Sequence, residues 1–155
     1  METNEEIWGK AYVHCRAWHD SYTGLVDQNY LDSLTFEKCK TYAYRWQENV
    51  LVAKDNDKVI GFVAYGICPE PLSDEGEIYG LHVVKEYYKK KVANLLLRVA
   101  LNNLSKFRKI NVWVLAGDKR SIKLYEKSGF KFDGVTKQIN LGTPITEIRM
   151  VLKKN

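Results

Sequence analysis

Only three cysteines occur, Cys15, Cys39 and Cys68, and no two form a Cys-x-x-Cys pair. An odd, widely spaced set argues against a disulfide framework or a zinc site, and for buried free thiols in a reducing compartment. No stretch approaches the roughly 18 consecutive apolar residues that a membrane span needs, and no apolar secretion-signal core opens the chain. A cytoplasmic protein with no membrane partner is therefore expected. No internal repeat or low-complexity linker divides the 155 residues, so a single domain over residues 1–155 is expected. No recognised nucleic-acid motif accompanies the charge, so neither nucleic acid nor metal is expected as a partner.

What is present is a basic, aromatic-rich globular composition. The net charge is +5 and the pI about 9.0, which permits an anionic partner as well as a merely solvated basic surface. The lysines are not all scattered: Lys85, Lys89, Lys90 and Lys91 fall within seven positions. The aromatic content is fairly high, with ten Tyr and four Trp, and some of these are expected to line a pocket rather than only fill a core.

The lysine cluster lies inside the stretch that organises the chain. Residues 77–84 are rich in β-branched and aromatic side chains and read as a strand. From Val92 to Leu104 the apolar positions Val92, Leu95, Leu96, Val99 and Ala100 follow helical spacing. Strand, basic turn and helix start together make a seat for a phosphate, because the first helical N–H groups are free and the dipole is positive there. Before this stretch, helices are expected over 5–20 and 36–48, with Thr35 capping the second, and a short helix or aromatic loop over 26–34. Residues 50–53 and 59–65 read as an antiparallel hairpin around a polar turn. After it come a strand over 110–115, a helix from the N-cap Asp118 to Ser128, and strands over 130–139 and 146–152. The order implies a mixed α/β (α+β) domain, with a largely antiparallel central sheet and flanking helices.

Three segments together resemble the GCN5-related N-acetyltransferase (GNAT) superfamily. Tyr88-Lys89-Lys90-Lys91-Val92-Ala93 stands where that family has [Gln/Arg]-x-x-Gly-x-[Gly/Ala]. Asp118-Lys-Arg-Ser-Ile-Lys-Leu-Tyr125-Glu-Lys-Ser-Gly129-Phe130 is similar to its Asn-x-x-Ala-x-x-x-Tyr-x-x-x-Gly-Phe segment, and is the most specific of the three. Ala17-Trp18-His19-Asp20-Ser21-Tyr22-x-Gly24 looks like its helix–loop entry.

The resemblance implies transfer of an acetyl group from acetyl-CoA to a primary amine, of a small molecule or a peptide N-terminus, by direct attack. It implies that the strand at His82, Val83 and Val84 splays from its neighbour and pairs with the pantetheine arm. Tyr88, Lys89, Lys90, Lys91, Val92, Ala93 and Asn94 would cradle the pyrophosphate, and Asp118 would lie near the pantetheine. Tyr125 would lie near the thioester sulfur and return a proton to the thiolate. Glu77 is either the proton acceptor for the amine or a solvated acid at a strand start, and His82 is a further candidate base. The position on the next strand where some relatives carry an acid is Trp113. Trp18, Tyr22, Tyr30 and Tyr79 would shape the acceptor pocket. Lys89 and Lys91 depart from the small residues of the family's turn, so the alternative is a degenerate member that binds CoA weakly or not at all and serves as an interaction module. The family's usual first strand is expected to be missing, since only six residues precede Ile7; the exposed sheet edge would then suit a homodimer.

Overall fold

The computed structural model describes residues 3–154. Its first element is α1 (Asn4–Tyr22), so no strand precedes the first helix among the described residues; Met1 and Glu2 lie outside them. Thr3 caps α1 by accepting a hydrogen bond from the Glu6 N–H at 3.1 Å, and Glu5 and Glu6 complement the dipole in the first turn. The helix runs past His19 to Tyr22, and Gly24 turns the chain away at φ +89°. Then follow α2 (Gln28–Ser33) and α3 (Phe36–Arg45), the latter capped by Thr35 as expected but ending three residues early.

The strands are β1 (Val50–Asp55), β2 (Lys58–Ile67), β3 (Gly76–Val83), β4 (Lys109–Leu115), β5 (Lys131–Asn140) and β6 (Pro144–Lys153). Between β3 and β4 runs α4 (Val92–Asn103), preceded by a single 3-10 turn at Lys85–Tyr87; α5 (Lys119–Lys127) links β4 to β5. The six strands form one sheet in the order β1-β2-β3-β4-β6-β5, antiparallel except for β3 against β4. This is the mixed, mostly antiparallel sheet with flanking helices that the sequence predicts.

Alternation along the strands gives each face its own cover. On one face Leu96, Leu97 and Ala100 of α4 pack with Val63, Ile78, Val83, Ile110 and Val112, and Tyr125 and Phe130 close that core beside α5. On the other face Val13 and Ala17 of α1 pack with Val50, Phe62 and Val84. Removing a fully buried side chain such as Leu97 would cost about 2–5 kcal/mol.

Two irregularities set up the site. The β2–β3 register shifts between Ala64 and Tyr65, so that Ala64 opposes Gly80, Tyr65 opposes Ile78, and Tyr79 bulges out. The β3–β4 ladder holds only Gly76↔Ile110, Glu77↔Asn111 and Ile78↔Val112; beyond Ile78 the two parallel strands part.

Candidate active site

The parting of β3 and β4 opens a cleft of about 250 Å³ between the C-terminal end of β3, the start of α4 and the exposed side of α5. Of the residues singled out in the sequence, His82, Val83, Tyr88, Ala93, Asn94 and Asp118 line it. Val84 instead packs into the core under α1. Lys89, Lys90 and Lys91 are exposed and Val92 is half-buried; none of these four is on the cleft wall.

Lys91 shows what the turn demands. It has φ +61° and ψ +20°, the left-handed conformation, at the N-cap of α4, and its side chain makes no capping hydrogen bond. That conformation is natural for glycine and costs an L-residue roughly 1–2 kcal/mol. The backbone thus keeps the glycine-type turn although lysine occupies it.

The cations on the wall come from a different element. Arg120, Lys123 and Lys127 of α5 all line the cleft. They follow one helical face at spacings of three and four, a signal legible in the sequence but hidden there by the conspicuous lysine run. The Arg120 guanidinium lies 3.3 Å from the centroid of the Tyr88 ring, and the Tyr88 hydroxyl meets Ser21 Oγ at 3.2 Å. Tyr88 takes the place of the family's Gln or Arg, and α5 brings a guanidinium back over it. Asp118 is committed to capping α5: its carboxylate accepts from the Ser121 N–H at 3.2 Å and from Ser121 Oγ at 2.7 Å.

His82 sits among aromatic rings from α1 and β2. Its ring centroid is 5.6 Å from Phe62, 6.2 Å from Tyr22 and 6.4 Å from Trp18, and it stacks on His14 at 6.5 Å. Burial, with Lys10 nearby, pushes its pKa down to about 4, so it is neutral and a weak base at pH 7. Trp18 and Tyr22 make an edge-to-face pair at 4.8 Å, and Tyr30 of α2 packs against the same cluster. Tyr79 stands apart on the β3 bulge, half exposed, donating its hydroxyl to the Ile67 carbonyl.

Tyr125 is 4 % exposed and packs edge-to-face on Phe130 at 5.4 Å; it is not on the cleft wall. Burial first, and the charge of Asp118 second, raise its pKa, which keeps the phenol protonated. Glu77 is 8 % exposed and lies at the level where β3 and β4 still pair, outside the cleft wall. Burial raises its pKa, opposed by the Cys68 thiol and by Lys137.

Glu147 of β6 stands opposite Leu115 at the end of β4. Its carboxyl is raised by burial, and it acts electrostatically on both Glu77 and Tyr22. No local signal marks it, because only the sheet order brings β6 beside β4. Among the described residues no cluster of metal-ligating side chains occurs, and no helix is long and apolar enough to cross a membrane.

This architecture matches known proteins. The sequence model of the acetyltransferase (GNAT) family matches residues 11–130. The uncharacterized N-acetyltransferase YuaI of Bacillus subtilis (strain 168) is 28 % identical over 157 aligned positions, covering 90 % of this chain and 88 % of that protein. In fold, the chain is similar to the PaiA N-acetyltransferase of Thermoplasma acidophilum in complex with coenzyme A, with TM-score 0.72, 22 % identity and coverage of 99 % and 96 % of the two chains. It is equally similar to the ribosomal-protein-alanine N-acetyltransferase of Brucella melitensis, at TM-score 0.72, 18 % identity and coverage of 99 % and 98 %. The family match over most of the chain, on a sheet that parts after three parallel pairs beside a cation-lined cleft, places this protein in the acetyltransferase (GNAT) family as an acetyl-CoA-dependent acetyltransferase.

Proposed function

We propose that the chain acetylates a primary amine by direct attack on acetyl-CoA. The observation that carries this reading is the parting of β3 from β4 after Ile78, which leaves the β4-facing backbone of β3 available to a pantetheine arm. Arg120, Lys123 and Lys127 supply positive charge for the pyrophosphate, joined by the free N–H groups at the start of α4. An arm laid along β3 from His82 toward the bulge brings its thioester toward Glu77 and Tyr125.

In this reading Glu77 takes one proton from the acceptor ammonium. Its burial makes it a stronger base than a solvated carboxylate. The neutral nitrogen attacks the thioester carbonyl, a C–N bond forms, and the tetrahedral intermediate collapses with loss of the C–S bond. Tyr125, held protonated by burial, gives its proton to the departing thiolate and recovers one from the nitrogen. No covalent enzyme intermediate is involved, so positioning and proton transfer supply the acceleration.

Calorimetry with acetyl-CoA tests the first half: affinity in the micromolar range is expected, and no binding at millimolar ligand would remove the reading. Tyr125→Phe tests the second. It should slow transfer by about 10²-fold or more with CoA affinity nearly unchanged, whereas an unaltered rate would dismiss Tyr125 as the acid.

A further inference from the structure

On the face of the sheet opposite α4, just past the point where β3 and β4 stop pairing, an ammonium is held between a ring and a carboxylate. Lys137 Nζ stands 4.1 Å from the centroid of the Trp113 indole and 3.7 Å from Glu147 Oε1. The Glu147 side chain is only 17 % exposed, while Lys137 is 44 % exposed on the edge strand β5. Glu77 pairs with Asn111, two residues before Trp113 on β4, so the side chains of Glu77, Asn111 and Trp113 share one face. Lys137 and Glu147 both act electrostatically on Glu77. The ring's other cation, Arg149, is 6.0 Å from its centroid and is tied to Asp133 at 2.6 Å. Asn111 is 2 % exposed; its Nδ2 donates to Glu75, but its buried Oδ1 has no hydrogen-bond partner among the described residues. An aromatic face, a largely buried carboxylate and an unused buried acceptor oxygen are what an ammonium ligand requires.

We infer that Trp113 and Glu147 form a cation subsite for the acceptor, occupied by Lys137 in the free protein, so that the preferred acceptor carries a second positive charge besides the amine that is acetylated. The inference rests on Glu77 marking the reaction centre, and it narrows the acceptor to a class. A dicationic acceptor displaces the Lys137 ammonium with one charge and presents its other amine to Glu77. An acceptor with a neutral tail cannot make that exchange, because displacing Lys137 with an apolar group leaves the Glu147 carboxylate shielded and unpaired. Lys137 is thus a competitor as well as a partner of Glu147.

The test is calorimetric titration of the CoA-bound protein with 1,4-diaminobutane and, separately, with butylamine. The diamine should bind at least about ten-fold tighter. Glu147→Gln should bring the diamine down to the level of butylamine. Lys137→Met should tighten the diamine several-fold while leaving CoA affinity unchanged. Equal binding of the two amines to the wild type, an undiminished diamine preference in Glu147→Gln, or weaker diamine binding in Lys137→Met would each overturn the subsite. If Glu147→Gln lacks a cooperative thermal transition, Trp113→Leu takes its place with the same expectation. Binding is read without turnover, so the two readings fail separately. A diamine preference without acetyl transfer to any amine removes the Glu77–Tyr125 chemistry and keeps the subsite. Transfer by a protein that binds both amines alike does the reverse.

Discussion

Lys91→Gly should stabilise the protein. Lys91 is exposed, its side chain caps nothing, and its backbone sits at φ +61°. The left-handed conformation costs an L-residue roughly 1–2 kcal/mol, which glycine avoids. Glycine loses about 0.5–1 kcal/mol more backbone entropy on folding, so the net gain is about 0.5–1 kcal/mol. For a chain of this length that raises Tm by about 1–4 °C. The hydrogen bond from the Leu95 N–H to the Lys91 carbonyl, 3.1 Å, is a backbone contact that glycine keeps. The neighbouring Lys90 does not have positive φ, so Lys90→Gly carries only the entropic cost and should destabilise by about 0.5–1 kcal/mol. Urea unfolding of the two variants without ligand reads the opposite signs directly. Loss of stability in Lys91→Gly, or the same sign in both variants, would refute the argument that the turn holds lysine in a glycine conformation.

Three further outcomes follow from the same geometry. Arg120→Ala should weaken acetyl-CoA about ten-fold in calorimetry, roughly 1.4 kcal/mol, and Arg120→Lys should not restore it, because an ammonium does not stack as a flat guanidinium does over Tyr88. His14 and His82 are pushed down to about 3 and about 4 from 6.5, His14 by burial, Lys10 and His82, and His82 by burial and Lys10. The unfolded chain therefore binds protons first, and stability held above pH 6.5 is lost as the pH falls toward 4. The loss is at most about 2 kcal/mol per imidazole between pH 7 and pH 5; thermal melts should show it, with a shallower slope in His14→Phe. Lys10 is 7 % exposed, faces Phe62 at 4.7 Å, and has its pKa lowered by burial, so Lys10→Met should raise stability by about 1 kcal/mol in urea unfolding.

Much of the site's frame was legible in particular residues. Thr35 and Asp118 announce helix starts through a side chain that accepts from an N–H three residues on, and both do so here. The Leu124-Tyr125 to Gly129-Phe130 block marks the end of α5, where Gly129 takes φ +97°. The lysine run drew attention to the right turn. The cleft wall, however, takes its cations from Arg120, Lys123 and Lys127, because the side chains that face a cleft depend on how α5 lies against β3 and α4. Strand 130–139 was legible as a strand. Its break between Phe132 and Thr136, where Asp133 is presented to Arg149, was not.

By itself the sequence determined what depends on neighbours within a few positions: helix and strand periodicity, caps, glycine turns and the block that marks the family. Those interactions are set by chain geometry wherever the segment lies in space. Only the tertiary structure decided what depends on the strand order β1-β2-β3-β4-β6-β5. Because β6 inserts between β4 and β5, Lys137 reaches across to Trp113 and meets Glu147 on the way, while Arg120 reaches Tyr88 only through the docking of α5. The contacts at Trp113 and Tyr88 join residues about 25–35 positions apart. No local pattern encodes them, since they follow from burying both faces of one sheet at once.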